Sequence, residues 1–135
     1  MNSHLTIRDD LVRALAGEAS RLRSLENQNP TDIGKAGRDI SAEQRTITVS
    51  AVKKVLKALL EKTITPSDAN SWAWLARGGV VRTIEGVAVR VETDYQDDKE
   101  EAIAEAVSRL SELGDLVDGT IDDTELKQLI QVLTD

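Results

Sequence analysis

Thr65-Pro66-Ser67-Asp68-Ala69-Asn70-Ser71-Trp72-Ala73-Trp74-Leu75-Ala76-Arg77-Gly78-Gly79-Val80-Val81-Arg82 contains the change of period on which the fold turns. Thr65 offers an N-cap hydroxyl, Pro66 occupies a first helical position whose N–H has no partner anyway, and Asp68 answers backbone amides and the helix dipole. Gly78-Gly79 ends that helix, because glycine takes the left-handed conformation a C-terminus needs. Beyond it the period falls from 3.6 to 2. Val80, Arg82 and Ile84, then Val87, Val89 and Val91 with Ala88, Arg90 and Glu92 between them, read as two strands turning near Glu85-Gly86. A small β-hairpin near residues 80–91 is therefore expected.

On both sides of this hinge the pattern is helical. Upstream, Val52, Val55, Leu56, Leu59 and Leu60 form an apolar stripe edged by Lys53, Lys54, Lys57 and Lys62. Further back, Leu11, Val12, Leu15, Ala19, Leu22 and Leu25 recur at helical steps over residues 6–28, and Asn29-Pro30 reads as the stop. Residues 29–45, with Gly34 and Gly37 and few apolar side chains, read as a loop, and Thr46 to Ser50 as a short extended piece. Downstream, Asp97 or Asp98 is expected to cap a helix burying Ile103, Val107, Leu110 and Leu113 and ending near Gly114. Asp122, with Glu125 three residues on, is expected to cap a last helix burying Leu126, Leu129, Ile130 and Leu133. The expected fold is mainly α, a four to five helix bundle with one hairpin. It forms a single domain over residues 1–135: N-terminal helix 6–28, loop 29–45 and core 46–135.

Composition agrees with one helical core. The 135 residues include no Phe, one Tyr and two Trp, so Leu, Val, Ile and Ala must fill the interior. Trp72 and Trp74 project about 200° apart on a helix, so one is expected inside and the other partly exposed. With no Cys, a disulfide framework and a thiol nucleophile are excluded. The start of the chain has no basic and apolar signal pattern, and no run approaches about 18 apolar residues, so a soluble cytoplasmic protein is expected, with no membrane partner.

Chemistry-bearing patterns are few. Gly114 to Glu125 resembles an EF-hand loop when Gly119 is taken as the sharp-turn glycine, which places Asp118, Asp122 and Glu125 at ligand positions. Gly114 and Leu116 then occupy the first and third positions, where side-chain oxygens are needed, so an acidic turn between capped helices is expected and no metal. The one His is His4, beside the terminus, and no phosphate loop or zinc spacing occurs. No catalytic residue, enzyme activity or cofactor is expected. Arg8, Arg13, Arg21 and Arg23 alternate with Asp9, Asp10, Glu18 and Glu26 rather than forming a basic face, so no nucleic-acid partner is expected.

Charge is distributed unevenly. Residues 91–135 hold 3 Lys/Arg against 14 Asp/Glu, net −11, while residues 1–90 hold 14 against 10, net +4. Such asymmetry bears on partners and association rates, and two readings stand side by side: a cationic protein surface as partner, or acids that solvate the surface and cap helices.

Two segments carry a family resemblance. Leu59-Leu60-Glu61-Lys62-Thr63-Ile64-Thr65-Pro66-Ser67-Asp68-Ala69-Asn70-Ser71-Trp72-Ala73, and Glu105-Ala106-Val107-Ser108-Arg109-Leu110-Ser111-Glu112-Leu113 with the acidic turn and terminal helix to Leu133, resemble small helical immunity proteins of bacterial contact-dependent inhibition and related polymorphic toxin systems. The resemblance spans about residues 52–135 and rests on core and capping residues. It implies a protein that binds one cognate toxin domain and blocks its active site without chemistry of its own. Many such toxins attack nucleic acid, and a nuclease must present a basic surface to phosphates. The contact acids expected on that basis are Asp94, Asp97, Asp98, Glu101, Asp115, Asp118, Asp122 and Asp123, with Tyr95 as an aromatic anchor. The alternative from the residues alone is a non-enzymatic helical interaction module or a degenerate EF-hand-like binding domain.

Overall fold

The computed structural model describes residues 3–84, 86–114 and 119–134. Within them the chain is mainly helical, with α1 (Ser3–Leu15), α2 (Leu22–Glu26), α3 (Pro30–Asp39), α4 (Val49–Leu60), α5 (Pro66–Gly78), α6 (Glu100–Ser111) and α7 (Asp123–Thr134). Two-residue strands β1 (Thr46–Ile47) and β4 (Asp94–Tyr95) pair in parallel, and β2 (Val80–Arg82) and β3 (Ala88–Arg90) form the antiparallel hairpin.

The cap grammar around α5 holds in detail. Thr65 and Asp68 make a reciprocal capping box, with Asp68 N–H donating to Thr65 Oγ1 at 3.1 Å and Thr65 N–H to Asp68 Oδ2 at 3.0 Å. Trp72 is fully buried and Trp74 is 46% exposed, as their angular separation requires. The Trp72 indole N–H donates to the Ala14 carbonyl at 2.7 Å, which ties α5 to α1 through the centre of the core. Around this tie α5 packs on α6, α4 on α7, and α1 on α3.

The N-terminal third departs from the sequence reading in two places. The helix expected over residues 6–28 is broken after Leu15, followed by a 3₁₀ turn at Ala19–Arg21 and the short α2. Gly17 has φ +106°, and a Cβ there would lie 2.5 Å from the Ala51 carbonyl, so the chain bends where it crosses α4. The apolar period survives the break because α1 and α2 both face the same core. Residues 30–39, expected as loop, form α3. Asn29-Pro30 starts this helix instead of stopping the previous one: Asn29 Oδ1 accepts from Thr31 N–H at 2.8 Å, and Pro30 takes the first helical position. Gly37 is there because a Cβ would press within 3.0 Å of Val91, so its role is close packing against the end of the hairpin.

The hairpin forms where expected, in a different phase on its first strand. The register is Val80↔Arg90, Val81↔Val89 and Arg82↔Ala88. Val81, Thr83, Val89 and Val91 are buried, while Ile84 is 77% exposed. The entry is dictated by Gly79, at φ +64° as the α5 C-cap, where any Cβ would collide with the Val91 carbonyl at 1.8 Å.

Candidate acidic shelf

The connection from β3 to α6 is short of regular structure but closely tied down. Thr93 Oγ1 donates to the Ala76 carbonyl at 3.0 Å, Asp94 N–H to the Arg45 carbonyl at 3.3 Å, and Gln96 N–H to the Ile47 carbonyl at 3.0 Å. The Gln96 side chain then works on both sides: its Oε1 accepts from Val49 N–H at 3.1 Å, at the start of α4, and its Nε2 donates to Asp98 Oδ1 at 2.8 Å. Asp97–Lys99 forms a 3₁₀ turn leading into α6. The expected cap at Asp97 or Asp98 is not made: the α6 N-cap is Lys99, without a side-chain cap bond. Neither aspartate is therefore explained by capping, and Asp98 has turned to Gln96 instead.

What results is a shallow depression lined by Asp97, Asp98, Glu100, Glu101 and Glu105 together with Lys99, and by Val132 of α7. Asp94 is exposed just before it. Across residues 94–105 six carboxylates face a single cation, Lys99. Elsewhere several acids are paired, as in Arg13 with Asp9, Arg21 with Asp10, Arg23 with Asp68 and Arg109 with Glu125, while others among the described residues, such as Asp32, Glu43, Glu61 and Glu92, are not, but these are not grouped as the shelf acids are. Among the described residues, no ion pair involves Asp94, Asp97, Asp98, Glu100, Glu101 or Glu105. The Tyr95 ring is half-buried against the core rather than projecting freely. Burial raises its hydroxyl pKa above the ordinary tyrosine value; nearby Arg77 lowers it and Glu100 raises it further.

The structure brings together Asp94, Tyr95, Asp97, Asp98 and Glu101 of the sequence-expected contact set. It separates Asp122 and Asp123, which open α7 at the far end of α6, a helix of twelve residues and so about 18 Å long. Asp122 Oδ1 accepts from Glu125 N–H at 2.8 Å and is a helix cap. Only that half of the expected capping box is seen, because the Glu125 carboxylate is gripped by the Arg109 guanidinium, with Nη2 at 3.2 Å from Oε1. The last position of the calcium-loop register is thus occupied by an intramolecular ion pair. Asp115 and Asp118 lie outside the described residues. The described ends of that turn are joined by Gly114 N–H donating to the Gly119 carbonyl at 3.0 Å.

Comparison with models of protein families, with curated proteins and with solved structures returns no match.

Sequence reasoning passed over Glu100 and Glu105, which looked like ordinary dipole partners of a helix start, and Gln96, whose bonding partners Val49 and Ile47 lie far away in the chain. No local signal marks such a residue. Also outside the expected set is a cleft of about 460 Å³ between α2, α5 and β2, walled in part by Leu22, Glu26, Ser71 and Trp74. Its signal was present in the offset of the two tryptophans. No helix among the described residues is long and apolar enough to cross a membrane.

Proposed function

We propose that this chain is an inhibitory binding protein of the immunity type, which covers the basic groove of a cognate toxin domain, a nuclease by preference, with the acidic shelf at residues 94–105. The observation that carries the reading is that, among the described residues, none of the carboxylates on that shelf is ion-paired. Six carboxylates stand on β4, the turn after Gln96 and the first turns of α6, with Lys99 as the one cation within residues 94–105, and they repel one another. A partner's Lys and Arg side chains relieve that repulsion and are steered to it from a distance, which raises association rates while salt is low. The dipole of α6 favours Glu100 and Glu101, and Asp97 and Asp98 just ahead of it, but does not account for Asp94 or Glu105. The resemblance of residues 52–135 to helical immunity proteins points the same way. Inhibition by occlusion requires no catalytic group on this chain.

The test begins with the protein encoded beside this one. It should carry a toxin domain that the full chain binds and neutralises. Charge reversal at Asp97, Asp98 and Glu101 should slow association at low ionic strength by on the order of tenfold or more, with the thermal midpoint kept. An association rate that ignores both the substitutions and the salt concentration would remove the shelf from the interface.

A further inference from the structure

The hairpin leaves one of its edges open inside the cleft between α2 and α5. In an antiparallel pair the residues that exchange ladder bonds alternate with residues whose N–H and C=O point away. Here Thr83 N–H donates to the Val87 carbonyl at 2.9 Å and Val91 N–H to the Gly79 carbonyl at 2.6 Å, which makes Gly79, Val81 and Thr83 the inward set. The backbone groups of Val80, Arg82 and Ile84 consequently face outward. One of them is answered: Ile84 N–H donates to the Glu26 carbonyl at 2.8 Å, at the end of α2. The N–H and C=O of Val80 and Arg82 have no partner among the described residues.

The cleft opens onto this edge and not onto a sheet face. Its lining includes the five consecutive residues Val80 to Ile84, whereas a cavity against one face would meet only alternate residues. Its other walls bring Leu22 and the exposed Trp74 ring, over which the Arg77 guanidinium lies at 5.7 Å. Ile84 at 77% and Val87 at 46% exposure extend the apolar surface to the hairpin end. An unpaired edge beside exposed apolar side chains is a template for another strand.

We infer that the outer edge of β2 is a docking strand for an extended, apolar peptide segment of a partner protein, which adds to the hairpin as a third strand beside Trp74. Backbone donors and acceptors at Val80 and Arg82 repeat at strand spacing, and an extended polypeptide matches that repeat. The Glu26 carbonyl closes the Ile84 end, so the added strand is short and draws its affinity from side chains placed against Trp74. This surface is separate from the acidic shelf and does not depend on its role.

The test pans a random dodecapeptide library against the full chain and measures the recovered peptides by titration. Peptides of alternating apolar pattern are expected. Their affinity should fall at least tenfold on N-methylation of alternate amides, on Trp74→Ala, and on Arg82→Pro. Arg82→Pro removes the outward N–H without touching a ladder bond; Arg82→Ala, which keeps that N–H, should bind as the native chain does. The N-methylated peptides carry the same test on the native protein if Arg82→Pro does not fold. Charge reversal at Asp97 and Asp98 should leave these affinities unchanged. A library without binders, or binders indifferent to N-methylation and to Arg82→Pro, overturns the proposal.

Discussion

Gly79→Ala is the sharpest single test of how the helical layer and the hairpin are joined. Gly79 is at φ +64°, where an alanine costs about 1 kcal/mol from its own backbone. A Cβ there would lie 1.8 Å from the Val91 carbonyl oxygen, and ordinary contact begins near 3.4 Å, so that carbonyl must retreat by more than an ångström. Retreat breaks the Val91 N–H to Gly79 carbonyl bond at 2.6 Å, a loss of about 1 kcal/mol. It also lifts Val91, 2% exposed, off Gly37, which costs on the order of 1–2 kcal/mol of burial. The sum is about 3–4 kcal/mol, a large part of the roughly 5–15 kcal/mol of a typical domain. Gly86 provides the control. It has φ +82° and nothing within 4 Å of an added Cβ, so Gly86→Ala should cost about 1 kcal/mol, the conformational part alone. Urea unfolding followed by far-ultraviolet circular dichroism measures both. If the two variants lie within about 1 kcal/mol of each other, the close approach of Gly79 to Val91 is not what joins α5 to the hairpin.

Two further substitutions probe the core tie and the capping box. Trp72→Phe removes the bond to the Ala14 carbonyl, which keeps Gly17 N–H as a second donor at 3.0 Å, so the loss should be about 2 kcal/mol and not the cost of an orphaned carbonyl. Its remaining fluorescence should come from Trp74 and be red-shifted, whereas Trp74→Phe should leave the blue emission of buried Trp72. Asp68→Asn should cost about 1 kcal/mol at neutral pH, measured by urea midpoint. Burial raises the Asp68 carboxyl, but the Thr65 backbone amide, the Arg23 guanidinium and the Thr65 hydroxyl outweigh it, and the net shift is downward. A carboxyl lowered on folding stabilises above its unfolded pKa and loses that contribution as pH falls through the folded value. The gap between native chain and variant should therefore close only in strong acid, below the ordinary aspartate range; a gap independent of pH would contradict the assignment.

The sequence by itself determined whatever rests on neighbours in the chain. The Thr65-Pro66-Ser67-Asp68 cap, the split roles of Trp72 and Trp74, the stripe of α4 and the existence of the hairpin all follow from spacing and local hydrogen bonding, and each is present. Asn29-Pro30 was ambiguous, since the same pair ends one helix and begins another, and Ile33 and Ala36 are too few to show a period among Gly34 and Gly37. The acidic third was legible as charge, but not which of its acids stand together. That was decided by contacts far apart in sequence: Gln96 bridging Val49 and Asp98, β4 pairing with β1, and Arg109 taking Glu125 out of the acidic set. Local pattern specifies how a segment curls and which face is apolar. Which carboxylates are left without a counter-charge, and which strand edge is left without a partner, depends on what the rest of the chain brings beside them, and only the tertiary structure decides that.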